Sequence, residues 1–379
     1  MKKLFSILVL ALSFSALFAQ QTAVALLNHE GAISTFYGTE ALVQAHKAAV
    51  HGDVITLSGG AFAAPSSWVK AVTLRGAGCY EGADNSREVT YINTSFDLAI
   101  PTDVQTSLTI EGISFKSTCK FSTSVNNTTF LKSSFEGKVN SVRGNANFYN
   151  CILAKSLELY YGGGSTNTNA NFFNCYVSNP DYENYNYLDG AHAIFTNCVL
   201  HFSSTNYSES DLSPYRFGYV KYYNCIFIGN IKSTSIEPSE FNIPVTSTAN
   251  NCLSCYCVYT PAVDTDTETK DAVYDYNIFD NMGSAQNYYL EEGKPINETI
   301  SSVFKTYNGT NKFSFNELYE LTDEAKAMYI GADGTQVGLY GGIGFDLVPS
   351  ILQITKCEVA PRSTTDGKLS VKIEVGIPE

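Results

Sequence analysis

The residues whose chemistry best suits ligand binding are tyrosines, which crowd the polar stretches between residues 160 and 219. A tyrosine offers a flat apolar ring and a hydroxyl, a combination that suits sugars, and binding residues favour loops on a rigid scaffold. Asp189, His192 and Arg216 lie among them and are the weak candidates for acid–base catalysis or charge recognition. The candidate carbohydrate-binding residues are Tyr160, Tyr161, Tyr182, Tyr185, Tyr187, Tyr215 and Tyr219.

These tyrosines have two other interpretations. The simpler one is half-buried packing at the corners of the fold, because a tyrosine ring is largely apolar. The other is a catalytic groove, in which the acidic and basic residues among the tyrosines act on a bound polysaccharide.

Metal and disulfide patterns are weak. Asp264, Asp266 and Glu268 alternate as calcium ligands sometimes do, but the glycine and distal glutamate of an EF-hand are missing. We therefore expect a solvated acidic loop and no cofactor, with calcium left open. Three cysteines lie close together around Cys252, but no second pair or suitably spaced histidine completes a zinc site. One local disulfide among these three cysteines is the alternative to free thiols.

A repeated sequence motif must position all of these groups. An aromatic residue, one further residue and an Asn-Cys pair recur at steps of 23 to 27 residues, as in Phe148–Cys151, and such a period is typical of stacked repeats. The copies alternate like strands. Thus we predict a structural ladder of Asn150, Asn174, Asn197, Asn224 and Asn251, followed by Cys151, Cys175, Cys198, Cys225 and Cys252.

Stacking gives each ladder position a physical role. Asparagine tolerates a left-handed bend, and its amide can bond to local backbone and to the asparagine of the next coil. The cysteines are expected to be free, buried apolar side chains. One earlier coil is predicted to carry Ser133-Ser134 in place of Asn-Cys, and Val337–Tyr340 to form a late coil. The predicted aromatic core ladder is Phe148, Phe172, Phe195 and Tyr222.

The chain resembles the right-handed parallel β-helix proteins of the pectin-lyase-like superfamily. It resembles more closely a group of secreted β-helix proteins of unknown function from Gram-negative gut bacteria. The resemblance has three anchors: residues 40–78, the Asn-Cys coils, and residues 333–371 with Asp333-Gly334-Thr335 and Asp366-Gly367-Lys368. It implies an all-β fold, a right-handed parallel β-helix or solenoid.

The resemblance also implies an enzyme class to weigh, since many members of the superfamily cut acidic polysaccharides. Their hydrolases use paired carboxylates, usually adjacent aspartates, whereas no two aspartates are adjacent here. Their lyases use clustered cations, whereas the five arginines of this chain are scattered. We therefore favour a non-catalytic carbohydrate-binding or adhesin-like protein. A lyase or glycoside hydrolase with a non-standard site and a purely structural surface protein are the alternatives.

The chain divides into three parts. Residues 1–19 carry two lysines and an apolar run, which predicts a cleaved signal peptide. Residues 20–348 are assigned to the β-helix, with an N-terminal helical cap over Thr39–His51. We expect the Thr39 side chain to cap this helix and Gly52 to end it. Trp68 is expected either to pack near the helix or to stack on a sugar. Residues 349–379 are predicted to form short C-terminal cap strands or the start of a small β module.

The net charge of the chain restricts the classes of partner that it is expected to bind. Removing the predicted signal peptide leaves 22 basic and 37 acidic residues, a net charge of −15. An acidic surface argues against nucleic acid and against anionic membranes, and no later segment is long and apolar enough to insert into a bilayer. The expected partner is a polysaccharide or other glycan, in the extracellular medium, at the cell surface or in the periplasm. The oligomeric state stays open.

Overall fold

The structure is a computed structural model, and its description covers most of the N-terminal two thirds and parts of the remainder. It describes residues 23–82, 87–159, 168–178, 180–182, 191–202, 219–229, 248–250, 253–255, 274–275, 278–279, 304–306, 319–331, 333–350, 353–359 and 371–376.

The protein is predominantly β, with short strands arranged in long stacks. The first elements in chain order are β1 (Val24–His29), β2 (Ala32–Tyr37), α1 (Ala41–Ala48), β3 (Val54–Leu57), β4 (Gly60–Phe62), β5 (Ser67–Trp68), β6 (Thr73–Arg75), β7 (Thr90–Ile92), β8 (Phe96–Leu98), β9 (Leu108–Glu111), β10 (Ser114–Phe115), β11 (Cys119–Phe121), β12 (Val125–Leu131), β13 (Ser134–Phe135) and β14 (Lys138–Val142).

The later elements continue the same pattern and then give way to a helix and two paired strands. They are β15 (Gly144–Tyr149), β16 (Ile152–Leu153), β17 (Ser156–Leu159), β18 (Thr168–Phe173), β19 (Tyr176–Ser178), β20 (Pro180–Tyr182), β21 (Ala191–Thr196), β22 (Val199–Phe202), β23 (Tyr219–Tyr223), β24 (Ile226–Gly229), β25 (Thr248–Asn250), β26 (Leu253–Cys255), β27 (Tyr274–Asp275), β28 (Ile278–Phe279), α2 (Asp323–Met328), β29 (Gln353–Val359) and β30 (Val371–Gly376).

Three sheets contain the stacked strands. The first runs in the order β2-β1-β3-β6-β9-β12-β15-β18-β21-β23-β25-β27, the second in the order β28-β26-β24-β22-β19-β16-β13-β10-β7-β4, and the third in the order β20-β17-β14-β11-β8-β5. From β3 to β20 the chain visits the three sheets in strict rotation, and strands of successive turns pair in parallel. This repeat-like arrangement is compatible with a β-helix-like solenoid.

A ladder of phenylalanines runs through the core. Phe148 pairs in register with Phe172, which pairs with Phe195. The ring centroids of these two pairs are 4.8 and 4.5 Å apart, with planes 9° and 8° from parallel. Phe130 extends the ladder at 5.0 Å from Phe148. Tyr222 pairs with Phe195 in register, but its side chain lies outside the described part.

The recurring asparagines turn the chain between the first and second sheets. Asn150, Asn174, Asn197 and Asn224 all have positive φ angles of 50–53°, the left-handed bend that asparagine tolerates best among residues with a Cβ. The cysteine that follows each one is buried and forms no disulfide bond. Its thiol bonds to the backbone of the turn below, as in Cys175 Sγ to Phe148 O at 3.4 Å.

The earlier coil has a different register from the one predicted. Lys132 and not Ser133 occupies the asparagine position, since its φ is +48° and its N–H donates to the carbonyl of Tyr149. Ser133 therefore takes the cysteine position, and its carbonyl accepts from the N–H of Ile152. Sequence alone missed this because lysine seldom adopts a positive φ.

The N-terminal helix is shorter than predicted. It begins at Ala41 with Glu40 at the N-cap position and no side-chain cap bond, so the prediction of Thr39 as the cap was wrong. The carbonyl of Thr39 instead accepts from Ala63 N, which ties the residue to the strand region after β4. The helix ends at Ala48, well before Gly52, and Lys70 Nζ donates to carbonyls of its last turn.

Trp68 packs beside this helix. The side chain is fully buried, and its ring centroid lies 4.8 Å from that of His46 on α1. The indole N–H donates to the carbonyl of Lys70. Burial confirms the packing role and excludes stacking on an external sugar.

A second apolar core lies outside the stack. Residues 319–331 and 333–350, which we call the returning segment, cross the outer face of the second sheet. Tyr176 of β19 stacks on Tyr319 at 5.0 Å. The buried members of this core are Cys79, Ile152, Tyr176, Val199, Ile226, Phe304, Tyr319, Leu321, Ala325, Tyr329, Val337, Leu339 and Leu347.

The late coil predicted at Val337–Tyr340 does not form. These residues make turns and lie against the outer side of the stack, where a Cβ on Gly338 would come within 2.4 Å of Ile226 Cδ1. The returning segment includes α2, whose N-cap residue Thr322 accepts a hydrogen bond from Ala325 N. Beyond it, β29 and β30 pair antiparallel, at the positions where C-terminal strands were predicted.

Candidate functional site

Two of the stretches that carry candidate tyrosines connect the same pair of sheets at one edge of the stack. Residues 160–167 connect β17 of the third sheet to β18 of the first, and residues 183–190 connect β20 to β21 in the same way. Because β17 pairs with β20 and β18 pairs with β21, the two connections start and end one above the other. We call this edge of the first sheet the loop edge.

Three of the predicted site residues are placed by their backbone. Tyr182 ends β20 and pairs with Leu159 in the third sheet. His192 and Tyr219 pair with each other near the start of two neighbouring strands of the first sheet. The remaining candidates lie outside the described residues, namely Tyr160, Tyr161, Tyr185, Tyr187, Asp189, Tyr215 and Arg216, as do the calcium candidates Asp264, Asp266 and Glu268 and the ladder residues Asn251 and Cys252.

The outer face of the first sheet beside the loop edge carries a regular set of polar and aromatic side chains. They alternate with the buried core residues of β15 and β18, so they point away from the core. We call this set the asparagine face, and it consists of Asn145, Asn147, Tyr149, Asn169, Asn171 and Phe173.

Side-chain amides form two ladders on the asparagine face. Asn169 Nδ2 donates to Asn145 Oδ1 at 3.1 Å, and Asn171 Nδ2 donates to Asn147 Oδ1 at 2.9 Å. Asn145 and Asn169 are exposed. Asn145 and Asn147 keep their amide N–H groups without a partner among the described residues. Asn169 and Asn171 likewise keep their amide oxygens. The face thus offers fixed donors and acceptors to a ligand.

An aromatic pair borders the amides. Tyr149 stacks on Phe173 with centroids 4.9 Å apart and planes 7° from parallel, and both rings are half-buried. Because their faces are turned toward each other, the rings present apolar edges to solvent. Fixed amides beside an apolar strip match the alternating hydroxyl and C–H groups of a sugar ring.

The loop edge and the asparagine face are continuous. Asn145 pairs with Asn169, Asn169 with His192, and His192 with Tyr219, so one register column runs from the amides to two of the predicted site residues. Residues 160–167 and 183–190 precede β18 and β21, two strands of this column, in the sequence. The asparagine face therefore lies directly beside the column that contains His192 and Tyr219.

The asparagines at the turns serve a structural purpose. Asn174 Nδ2 donates to the carbonyls of Leu339 and Gly341, each at 2.7 Å. The returning segment also places Gly338 N on Asn224 O at 2.8 Å. Asn174 therefore bonds to the returning segment and not, as expected, to the next turn asparagine. The returning segment covers this corner of the stack.

The titratable groups resolved elsewhere hold structure together. Lys305 and Lys326 both donate to Glu320 Oε1 at 2.7 Å, and these bonds lower the pKa of the Glu320 carboxyl below its usual range. Lys132 joins Asp346 at 2.7 Å and so ties the returning segment to the stack. Within the described residues, no group of three or more histidine, cysteine or acidic side chains is arranged to hold a metal ion.

Comparison with family models, with curated proteins and with solved structures found no match to this chain. In the part of the chain that the structure describes, none of the helices has both the length and the apolar character needed to cross a bilayer.

Sequence reasoning did not select the asparagine face. The signal was present, because residues 145–151 read Asn-Ala-Asn-Phe-Tyr-Asn-Cys and residues 169–175 read Asn-Ala-Asn-Phe-Phe-Asn-Cys. The Asn-Ala-Asn sequence occurs in these two coils only, whereas the Asn-Cys pair recurs in every coil from Asn150 to Asn224. Two copies with the same outward residues, 24 positions apart, predict stacked amides on an exposed sheet.

Proposed function

We propose that this protein is an exported right-handed parallel β-helix of the pectin-lyase-like kind that binds a glycan without cleaving it. In this proposal it is secreted or held at the cell surface, where it acts as a carbohydrate-binding or adhesin-like protein. The observation that carries the proposal is the continuity between the loop edge, with its tyrosine-rich loops, and the fixed amides of the asparagine face.

The strand rotation supports the helical fold. Successive turns visit three sheets in the same order and stack like residues on like. Connections between parallel strands of one sheet are almost always right-handed, which supports that hand here. In this fold α1 would cap the first turn, and β29 with β30 would serve as a C-terminal cap.

The amide and aromatic groups support a neutral glycan as the ligand. The asparagine face has no charged residue among its six members, and amides bond sugar hydroxyls as both donors and acceptors. The acidic chain disfavours a polyanionic polysaccharide. Tyrosines in the adjoining loops would add ring faces that the stacked pair on the sheet does not expose.

Glycan binding is tested on a panel of plant and host polysaccharides with the purified chain from Gln20 onward. Asn169→Ala removes one exposed amide of the ladder and is expected to weaken binding about 3- to 10-fold, the effect of one hydrogen bond. Tyr185→Ala and Tyr187→Ala test the loop in the same assay. Asn93→Ala is the matched control, since Asn93 is an exposed asparagine in the turn between β7 and β8.

The outcomes separate three functions. Binding that falls in Asn169→Ala and persists in Asn93→Ala, with no new reducing ends and no unsaturated product, supports the proposal. Turnover that disappears in Asp189→Ala or Arg216→Ala would replace it with a lyase or hydrolase. Absence of binding across the panel, together with normal folding, would leave a structural surface protein.

A further inference from the structure

The outer edge of β2 has no neighbouring strand in the part of the chain that the structure describes. β2 is the terminal strand of the first sheet and, among the described residues, pairs only with β1. All of its residues except the half-buried Phe36 are exposed, and none is charged. Such an edge presents a row of backbone donors and acceptors that can pair with another strand.

The pairing of β1 with β2 determines which backbone groups face that edge. Gly38 N donates to Ala23 O, so this pair lies in the hydrogen-bonded position of the antiparallel ladder. Hydrogen-bonded and non-hydrogen-bonded pairs alternate along such a ladder. Ile33, Thr35 and Tyr37 therefore direct their N–H and C=O groups away from β1, toward the open edge.

The same three residues carry their side chains on the outer face of the hairpin. Ile33 is 67% exposed and Tyr37 is 65% exposed, and Leu26 of β1, opposite Thr35, is 38% exposed. Phe36, on the other face, packs against the main core. An apolar patch thus adjoins a row of backbone groups that have no strand partner among the described residues.

We propose that β2 pairs antiparallel with β2 of a second copy of this chain, about a twofold axis through Thr35. In this register Ile33 of one copy lies opposite Tyr37 of the other, and the two Thr35 residues face each other. Every outward backbone group of the three residues then finds a partner. An aromatic ring opposite a β-branched side chain and a threonine opposite a threonine are both favourable cross-strand pairs.

Self-complementarity favours a second copy over an unrelated strand. Because the strand lacks charge, a twofold pairing brings no like charges together within it. Glu30 and Glu40 lie in the flanking exposed turns, where salt screens their repulsion, so association is expected to strengthen with ionic strength. An isologous contact closes on itself. The assembly is therefore a dimer in which one sheet runs through both molecules.

The dimer is tested by light scattering on the purified chain from Gln20 onward over a concentration series. Thr35→Pro removes an outward N–H while sparing the bonds between β1 and β2, as proline does on sheet edges. Ile33→Lys places an ammonium group in the pairing face. Both variants are expected to abolish the dimer at concentrations where the unchanged chain is dimeric. Ile343→Lys is the matched control, since Ile343 is 74% exposed on the returning segment.

Each result decides the proposal. A dimer that persists in Ile343→Lys and disappears in Ile33→Lys, with the same circular dichroism for all variants, supports it. If Thr35→Pro does not fold, Ile33→Lys decides, since its side chain is already in solvent. A chain that is monomeric throughout the series, a dimer that survives Ile33→Lys, or growth beyond two copies would overturn it.

Discussion

At the scale of single residues, the turn asparagines meet two requirements at once. Asn174 adopts a φ of +50°, which residues with a Cβ seldom do, and its amide donates to two carbonyls of the returning segment. Glycine would meet the first requirement only. Backbone geometry and this long-range contact together explain the asparagine at position 174.

Replacing Asn174 separates these two contributions. Asn174→Gly keeps the positive φ but removes the donor to the buried carbonyl of Leu339, whereas the carbonyl of Gly341 still accepts from Gly344 N. The free energy of unfolding is therefore expected to fall by about 1–3 kcal/mol. Asn174→Ala adds the left-handed strain of about 1–2 kcal/mol. Urea unfolding followed by circular dichroism measures both changes.

Asn127 supplies the matched control for that experiment. It has the same φ of +50° but is exposed and lies away from the returning segment. Asn127→Gly is expected to change the unfolding free energy by less than about 0.5 kcal/mol. Equal losses of unfolding free energy in Asn127→Gly and Asn174→Gly would show that the contact with the returning segment contributes nothing to stability.

At the scale of elements, the second sheet is buried on both faces from β10 to β22. Its inner residues join the main core, and its outer residues, such as Tyr176 and Ile226, pack beneath the returning segment. Ser350 N donates to Glu111 Oε1 at 2.7 Å near the far end of this contact. The returning segment thus runs back along the stack from the turn at Asn224 toward β9.

Truncating a buried side chain of the returning segment should loosen it. Leu339 is 1% exposed within the second core, and Leu339→Ala is expected to cost about 2–5 kcal/mol in unfolding free energy. Ile343→Ala, a few residues away and largely exposed, should change it by less than about 0.5 kcal/mol. Thermal unfolding and limited proteolysis of residues 333–350 measure the effect. Equal protease sensitivity of the two variants would contradict the second core.

At the scale of the whole molecule, one core extends through the stack and encloses the thiols. Burial raises the pKa of the Cys175 and Cys198 thiols well above the usual range, so the reactive thiolate is scarce at neutral pH. Reagents can reach these sulfurs only when successive turns separate. Their reactivity therefore reports on the opening of the stack.

Alkylation with iodoacetamide at mildly alkaline pH is expected to leave the thiols of the folded stack unmodified. Mass spectrometry should detect modification of Cys151, Cys175, Cys198 and Cys225 only at urea concentrations that also abolish the β signal in circular dichroism. A cysteine introduced by Ile343→Cys, at an exposed position, should react at once and serves as the control. Rapid labelling of Cys175 in the folded protein would contradict the buried ladder.

The repeat period of the sequence was sufficient to predict much of the local structure. It predicted strands at the aromatic positions, the left-handed bend at Asn150 and its equivalents, and the stacking of Phe148 on Phe172. These features follow from alternation and repetition, which act between adjacent turns. The register at Lys132 escaped prediction because its bend has no asparagine to mark it.

Only the tertiary structure decided what happens on the outside of the stack. No local pattern shows that residues near Leu339 pass over turns more than 100 residues earlier, or that Asn145 and Asn169 align their amides beside the loop edge. The open edge of β2 likewise depends on the strand order. Repetition determines contacts between neighbouring coils, whereas contacts between distant segments depend on how the chain folds back, which composition and period do not specify.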